Sequence, residues 1–233
     1  MINKDLITLI DSEDPASESY RALRTNILMR QFEKPMQVIN VISTSAQEGK
    51  STTILNLAVV FAQLGKKVLV IDLDLRLPSI HKKLKIKNQK GVTVLFGDVV
   101  ISYAQNLDVL TSGTKIPYAA EFVQSQTLQD FINSLRKHYD IILLDCPPVG
   151  LVTDGVIISN YCDGTLLVIA SGHNDKKDLL RTKDLLDQMK TNVIGIVMSM
   201  MPVGKNIPVM ALSHLRRKGR VCAWVATMGN LLR

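Results

Sequence analysis

The sequence has 233 residues, which is enough for one α/β domain with little left for a second, and a formal net charge of +7. Its lysines are dispersed and are not interleaved with aromatic residues, so we expect no nucleic-acid partner. The three cysteines lack the spacing of a metal site or a disulfide framework, and no apolar run reaches the thickness of a bilayer, which favours a cytoplasmic protein.

Apolar, β-branched runs alternate with helix-like segments along the chain. The strand-like runs lie near residues 38–42, 67–71, 107–110, 141–144, 165–170 and 193–199. This alternation predicts an α/β fold in which helices flank a doubly wound, mainly parallel sheet.

A charged helix is predicted before the first strand, over about residues 15–31. Glu18, Arg21 and Arg24 are spaced three residues apart, so they form a slanting stripe on one face of this helix. By composition alone, such a stripe is an ordinary solvated surface.

The segment between the first strand and the next helix, residues 43–53, reads STSAQEGKSTT. It matches the phosphate-binding pattern G-x-x-x-x-G-K-[ST], except that Thr44 replaces the first glycine. A loop of this kind points backbone N–H groups at an anion, at a helix N-terminus whose dipole also favours negative charge. Lys50 is expected to reach the β- and γ-phosphates of a nucleoside triphosphate, and the Ser51 hydroxyl to ligate Mg²⁺. The residues predicted to bind the nucleotide are Ala46, Gln47, Glu48, Gly49, Lys50, Ser51 and Thr52.

Three aspartates follow buried strands. Asp72 and Asp74 stand after the run 67–71, and in extended chain they point the same way. Paired carboxylates beside a triphosphate suit Mg²⁺, or a base that orients an attacking hydroxyl. Asp145 ends the run 141–144 and fits the role of holding the metal through its water shell, so Ser51, Asp72 and Asp145 are the predicted metal residues. Taken one at a time, each aspartate is equally consistent with a solvated strand end or a helix cap.

Together, Gly-Lys-Ser-Thr at 49–52, Asp-x-Asp-x-Arg at 72–76 and Asp-x-Pro-Pro at 145–148 resemble the cytoplasmic kinase module of the bacterial protein-tyrosine kinases of capsule and exopolysaccharide synthesis. The resemblance covers roughly residues 15–206. It implies a P-loop NTPase fold, ATP and Mg²⁺ as cofactors, and transfer of the ATP γ-phosphoryl group to tyrosine. Lys50, Asp72 and Asp74 are then the catalytic residues: Lys50 holds the phosphates, Asp72 takes or orients the tyrosine hydroxyl proton, and Asp74 assists with the metal or the substrate.

The resemblance also implies an assembly and partners. Glu18, Arg21 and Arg24 match the family's Glu-x-x-Arg-x-x-Arg helix, which is the subunit contact of a ring-shaped homo-oligomer. The cytoplasmic end of a transmembrane adaptor, the chain-length protein, would bind near the site, promote ATP binding and hold the chain at the inner face of the cell membrane. Protein-tyrosine substrates and a cognate phosphatase complete the expected partners.

Two segments depart from the family pattern. Relatives carry an Asn-Pro-x-Glu-like segment where this chain has residues 115–121, in which Glu121 alone matches. The family's C-terminal tyrosine cluster has no counterpart after Tyr161, and residues 207–233 form an atypical basic tail beyond a kinase domain of residues 1–206. Self-phosphorylation is therefore expected to be weak, or confined to interior tyrosines such as Tyr20.

Two alternatives remain open from the sequence. A partitioning or septum-site type of P-loop ATPase would carry a signature lysine where this chain has Ser45. An ATP-binding regulatory scaffold would bind nucleotide and the adaptor but would phosphorylate nothing.

Overall fold

The computed structural model describes residues 6–32, 34–94, 99–201 and 225–226. In this part of the chain, eight strands form one sheet in the order β3-β4-β2-β5-β1-β6-β7-β8. The strands are β1 (Val38–Ser43), β2 (Val68–Asp72), β3 (Ile101–Ala104), β4 (Leu107–Leu110), β5 (Ile141–Asp145), β6 (Gly164–Ala170), β7 (Val193–Ser199) and β8 (Val225–Ala226). The helices are α1 (Ile7–Ile10), α2 (Pro15–Gln31), α3 (Lys50–Gln63), α4 (Ile80–Leu84), α5 (Ala119–Gln124), α6 (Gln126–Leu135), α7 (Asp154–Ser159) and α8 (Lys176–Gln188). No helix within these ranges is both long and apolar enough to cross a membrane.

The inner strands β4, β2, β5, β1, β6 and β7 pair in parallel. Of these, β1, β2, β5 and β6 are buried along their whole length. Their near-continuous Val, Ile and Leu content is what a strand requires when helices cover both faces of the sheet. The predicted mainly parallel sheet is confirmed, and each predicted run coincides with a strand to within one residue at either end.

Alternate residues of each strand point to opposite faces of the sheet. In β1, Ile39 and Val41 join the apolar cluster that packs under α2 and α3. Val38 and Ile42 join the second cluster, to which α6, α7 and α8 contribute. The sheet is therefore covered on both faces, as the doubly wound arrangement requires.

Two strands were not predicted, and both are antiparallel additions at the ends of the sheet. β3 pairs with β4, and its side chains are half-buried or exposed, so it lacks the continuous apolar run that marks the inner strands. β8 pairs with β7 and falls within the predicted tail 207–233. The rest of that tail lies outside the described residues.

The register of the inner strands brings their carboxyl ends to one edge. Val41 and Asp72 both pair with Asp145, so β2 and β5 end side by side and the loop after β1 begins next to them. In open α/β sheets, ligands bind in the crevice beyond this edge. The loop after β1, Asp72 and Asp145 are far apart in the sequence, and this edge of the sheet brings them together.

Candidate active site

The loop between β1 and α3 turns at two residues in the left-handed region, Gly49 with φ +82° and Gln47 with φ +63°. Residues 46–49 lie in the loop, and residues 50–52 form the first turn of α3. The amide of Thr53 donates to the Gly49 carbonyl oxygen at 2.8 Å. The amides before Thr53 have no acceptor within the helix, which is the arrangement that binds phosphate at helix N-termini.

Lys50 and Asp145 form a buried ion pair. Lys50 Nζ lies 2.9 Å from Asp145 Oδ1 and 3.9 Å from Asp74 Oδ2. Burial opposes the charge on Lys50, but the negative charges of Asp145 and Asp74 outweigh it and raise the lysine pKa. Ser51 Oγ donates to Asp145 Oδ2 at 2.6 Å. The loop lysine, the adjacent hydroxyl and the strand-end carboxylate are thus in direct contact.

Asp72 is the last residue of β2, and Asp74 lies two residues beyond it. The Asp74 carboxylate nevertheless reaches the site, with Oδ2 3.9 Å from Lys50 Nζ. Asp72 Oδ2 accepts the amides of Ser79 and Ile80, each at 3.1 Å, and its Oδ1 accepts the Asp74 amide at 3.2 Å. Burial, followed by the charge of Asp145, raises the pKa of Asp72 well above its ordinary value. A carboxylate with a raised pKa is a better proton acceptor, which suits the predicted role of Asp72.

Glu48 anchors the loop through its side chain, a role that the sequence did not indicate. It is 1 % exposed, and one of its carboxylate oxygens accepts the Ser45 amide at 2.8 Å. Its other carboxylate oxygen accepts a hydrogen bond from Asn174 Nδ2, and its backbone carbonyl oxygen accepts the Ser199 hydroxyl at 2.5 Å. The loop is therefore tied to the segment after β6 and to the end of β7. These partners lie 126 and 151 residues away in the chain, so no local pattern could have identified them.

The segment after β2 is fastened to two helices. Ser79 Oγ donates to Ser51 Oγ at 2.7 Å, which ties the segment to the first turn of α3. Arg76, the arginine of the Asp-x-Asp-x-Arg motif, lies with its Nε 2.9 Å from Asp154 Oδ2. Asp154 begins α7, where a carboxylate also interacts favourably with the helix dipole. The sequence identified Arg76 as part of a motif but offered no signal for its partner.

The predicted N-terminal helix forms as α2, Pro15–Gln31. Glu18 and Arg21 pair with each other at 2.7 Å, and their side chains are 52 % and 28 % exposed. Arg24 donates instead to the carbonyl oxygen of Val60 in α3 at 2.9 Å. Within one chain, Arg24 therefore holds α2 against α3, whereas Glu18 lies at the surface and Arg21 also donates to the Ser12 carbonyl oxygen. The subunit contact through this stripe stays a prediction.

Among the described residues, no group of three or more His, Cys, Asp or Glu side chains is placed to hold a metal ion by itself. The Ser51 hydroxyl and the Asp145 carboxylate nevertheless form an oxygen pair of the kind that suits Mg²⁺ when waters and substrate phosphates supply its other ligands. Both oxygens of Asp72 already accept backbone amides, which leaves less of their capacity for a metal. The donor set fits magnesium held jointly with a nucleotide.

Comparison with known proteins shows similarity over most of the chain. A family model described as an AAA domain matches residues 36–172, which include the phosphate loop and the strand-end aspartates. Tyrosine-protein kinase YwqD of Bacillus subtilis is 36 % identical over 205 residues, which cover 85 % of this chain and 86 % of that protein. Among solved structures, the chimerical protein CapA2B2 matches with a TM-score of 0.82 at 32 % identity, covering 85 % of this chain and 90 % of that chain. The kinase domain of the Escherichia coli tyrosine kinase ETK matches with a TM-score of 0.79 at 27 % identity, covering 85 % and 80 %.

Proposed function

The chain belongs to the family of bacterial tyrosine-protein kinases, and we propose that it transfers the γ-phosphoryl group of ATP to tyrosine side chains of proteins in the control of capsule or exopolysaccharide synthesis. The observation that carries the proposal is the contact of Lys50 and Ser51, at the phosphate loop, with Asp145 at the end of β5. Phosphoryl transfer requires positioning and neutralisation of charge more than covalent chemistry. A buried lysine, open helix amides and a strand-end carboxylate supply those requirements at one edge of the sheet.

The phosphates of ATP would be held by the amides of residues 46–52 and by the Lys50 ammonium group. Because the nearby carboxylates raise the pKa of Lys50, this group stays positively charged at neutral pH. A magnesium ion held by Ser51, and by Asp145 through water, would neutralise charge on the β- and γ-phosphate oxygens. Glu48 keeps the loop in place through its contacts with residues that follow β6 and end β7.

Asp72 is proposed to accept the proton of the attacking tyrosine. Burial and the charge of Asp145 raise its pKa, so its carboxylate is more basic than an exposed aspartate. A tyrosine hydroxyl has a pKa of about 10, so the proton moves late, after the oxygen has begun to bond to phosphorus. Most of the rate enhancement must therefore come from alignment of the acceptor with the γ-phosphoryl group.

We also propose the assembly and partners that the family resemblance implies. The exposed part of the stripe formed by Glu18, Arg21 and Arg24 would meet the next subunit of a ring. The cytoplasmic end of a transmembrane adaptor would bind the chain and hold it at the inner face of the cell membrane. A cognate phosphatase would reverse the modification of the protein substrates.

Labelled ATP and a random copolymer of glutamate and tyrosine test the transfer directly. The wild-type chain with Mg²⁺, with and without a candidate adaptor peptide, is expected to form phosphotyrosine on the copolymer. Lys50→Met is expected to abolish transfer, and Asp72→Asn to reduce transfer more than ATP binding. Lys82→Met removes an exposed lysine of α4 and serves as the matched control, with unchanged activity. Because Lys50→Met leaves the buried Asp145 carboxylate without its cationic partner, circular dichroism must first show that this variant is folded.

The same reactions distinguish the alternatives. Tight ATP binding without phosphotyrosine on any acceptor, with the adaptor peptide present, would contradict the kinase and favour the regulatory scaffold. Turnover of ATP to phosphate without transfer to tyrosine would favour an ATPase of the partitioning type.

A further inference from the structure

Accessibility separates the five tyrosines of the sequence. Tyr118 is 54 % exposed, whereas Tyr20 is 0 % exposed. A fully buried hydroxyl cannot reach a nucleotide, so the burial of Tyr20 argues against self-phosphorylation at this residue in the folded chain. Tyr103, Tyr139 and Tyr161 are partly buried.

Packing and hydrogen bonds hold the three partly buried tyrosines in place. The Tyr139 hydroxyl donates to Asp108 at 2.9 Å, and the Tyr161 hydroxyl donates to the Val123 carbonyl oxygen at 3.2 Å. Burial and the Asp108 carboxylate raise the pKa of Tyr139 to about 12, which makes its oxygen a harder group to deprotonate. Tyr103 packs against the cluster under α2 and α3. Each of these side chains would have to leave its packing before it could accept a phosphoryl group.

Tyr118 follows a strand that ends at the same edge of the sheet as the candidate active site. β4 is parallel to β2, and its last residue, Leu110, pairs with Ile71, the neighbour of Asp72. The chain leaves the sheet at this edge and reaches Tyr118, which is the N-cap residue of α5. Tyr118 therefore lies on the connection that begins at this edge of the sheet.

The first turn of α5 lies within electrostatic range of the Asp-x-Asp-x-Arg segment. α5 packs against α7, the helix whose first residue is Asp154. Asp154 raises the pKa of Arg76 by its hydrogen bond and its charge, and the charges of Asp74 and Glu121 add to this effect.

We propose that Tyr118 is an acceptor of the phosphoryl group and hence a modification site of the chain itself. The step rests on the proposed kinase function. The Tyr118 hydroxyl oxygen bonds to the γ-phosphorus of ATP, the bond from that phosphorus to the β–γ bridging oxygen breaks, ADP leaves, and the phenolic proton passes to the Asp72 carboxylate. Phosphotyrosine at this position adds a charge of about −1.5 to −2 at the N-cap of α5.

Peptide mapping after incubation of the full chain with Mg·ATP tests the proposal. Trypsin releases residues 116–136 as one peptide in which Tyr118 is the single tyrosine, so phosphotyrosine there is unambiguous. We expect this peptide to be phosphorylated in the wild type and in Tyr103→Phe, the matched control. We expect total self-phosphorylation of Tyr118→Phe to fall to the level of Lys50→Met. Phosphorylation of an added copolymer of glutamate and tyrosine is expected to be equal in the wild type, Tyr118→Phe and Tyr103→Phe.

The copolymer separates failure of this inference from failure of the kinase function. A phosphorylated copolymer together with an unmodified 116–136 peptide, or with self-phosphorylation that persists in Tyr118→Phe, would overturn the assignment of Tyr118 and leave the kinase function intact. An unmodified copolymer and an unmodified chain would refute the kinase function, and the assignment of Tyr118 with it.

Discussion

The phosphate loop depends on a glycine in the left-handed conformation, Gly49 at φ +82°. Alanine at this position would place its Cβ 3.4 Å from Ser199 Cβ, which is ordinary van der Waals contact. Gly49→Ala therefore acts through the backbone conformation and not through a clash. An L-residue in this region costs about 1–2 kcal/mol relative to a right-handed conformation.

This strain must appear either in stability or in nucleotide affinity. If the variant loop keeps its conformation, the free energy of unfolding falls by about 1–2 kcal/mol. If the loop relaxes, stability is preserved, but ATP binding must restore the strained conformation. Affinity then falls by about 5- to 30-fold, since about 1.4 kcal/mol corresponds to a factor of ten. The two losses together are expected to amount to about 1–2 kcal/mol.

Urea unfolding and calorimetric titration with Mg·ATP measure the two losses on the same protein. Gly65→Ala is the matched control, because Gly65 has φ +81° in the turn after α3 and an added Cβ there meets nothing within 4 Å. We expect this control to lose a similar amount of stability with unchanged ATP affinity. A Gly49→Ala protein with wild-type stability and wild-type affinity would refute the reasoning, as would a loss of ATP affinity in Gly65→Ala.

Two further predictions concern stability against pH and assembly. Burial raises the pKa of Asp163, but the hydrogen bonds from Arg136 at 2.7 and 3.0 Å outweigh burial and lower this pKa. The ionised Asp163 therefore stabilises the folded chain fully above its unfolded-state pKa of about 3.9, and this stabilisation is lost as the pH falls through the lower folded-state pKa. Asp163→Asn is therefore expected to have a lower Tm than the wild type at neutral pH, and the difference is expected to disappear toward about pH 2. A difference in Tm between the two proteins that stays constant with pH in thermal melts would contradict this. Replacing Glu18 and Arg21 by alanine is expected to shift a ring toward monomer in light scattering, and salt is expected to weaken the wild-type ring. Arg24 is left in place because it holds α2 against α3. A wild-type chain that stays monomeric at high concentration with Mg·ADP would count against the ring.

The inner strands could be predicted from the sequence because strands buried on both faces need continuous apolar runs. Val38–Ser43 and Ile141–Asp145 carry such runs, and they form neighbouring strands. The edge strand Ile101–Ala104 could not be predicted in this way, because an edge strand with half-exposed side chains has no such requirement. It pairs with the edge of β4 that β2 does not occupy, so its position depends on how the other strands are ordered in the sheet.

Local chemistry likewise determined the phosphate loop. A glycine, a lysine and a hydroxyl at consecutive positions before a helix specify an anion site within a few residues, so the motif at 49–51 could be read without a fold. Contacts across long stretches of sequence were decided by the tertiary structure. Glu48 reaches Asn174 and Ser199, and Arg24 reaches Val60, because the packing of helices on the sheet brings these groups together. Burial is a property of that packing as a whole, which is why only the folded chain distinguishes an exposed tyrosine from a buried one.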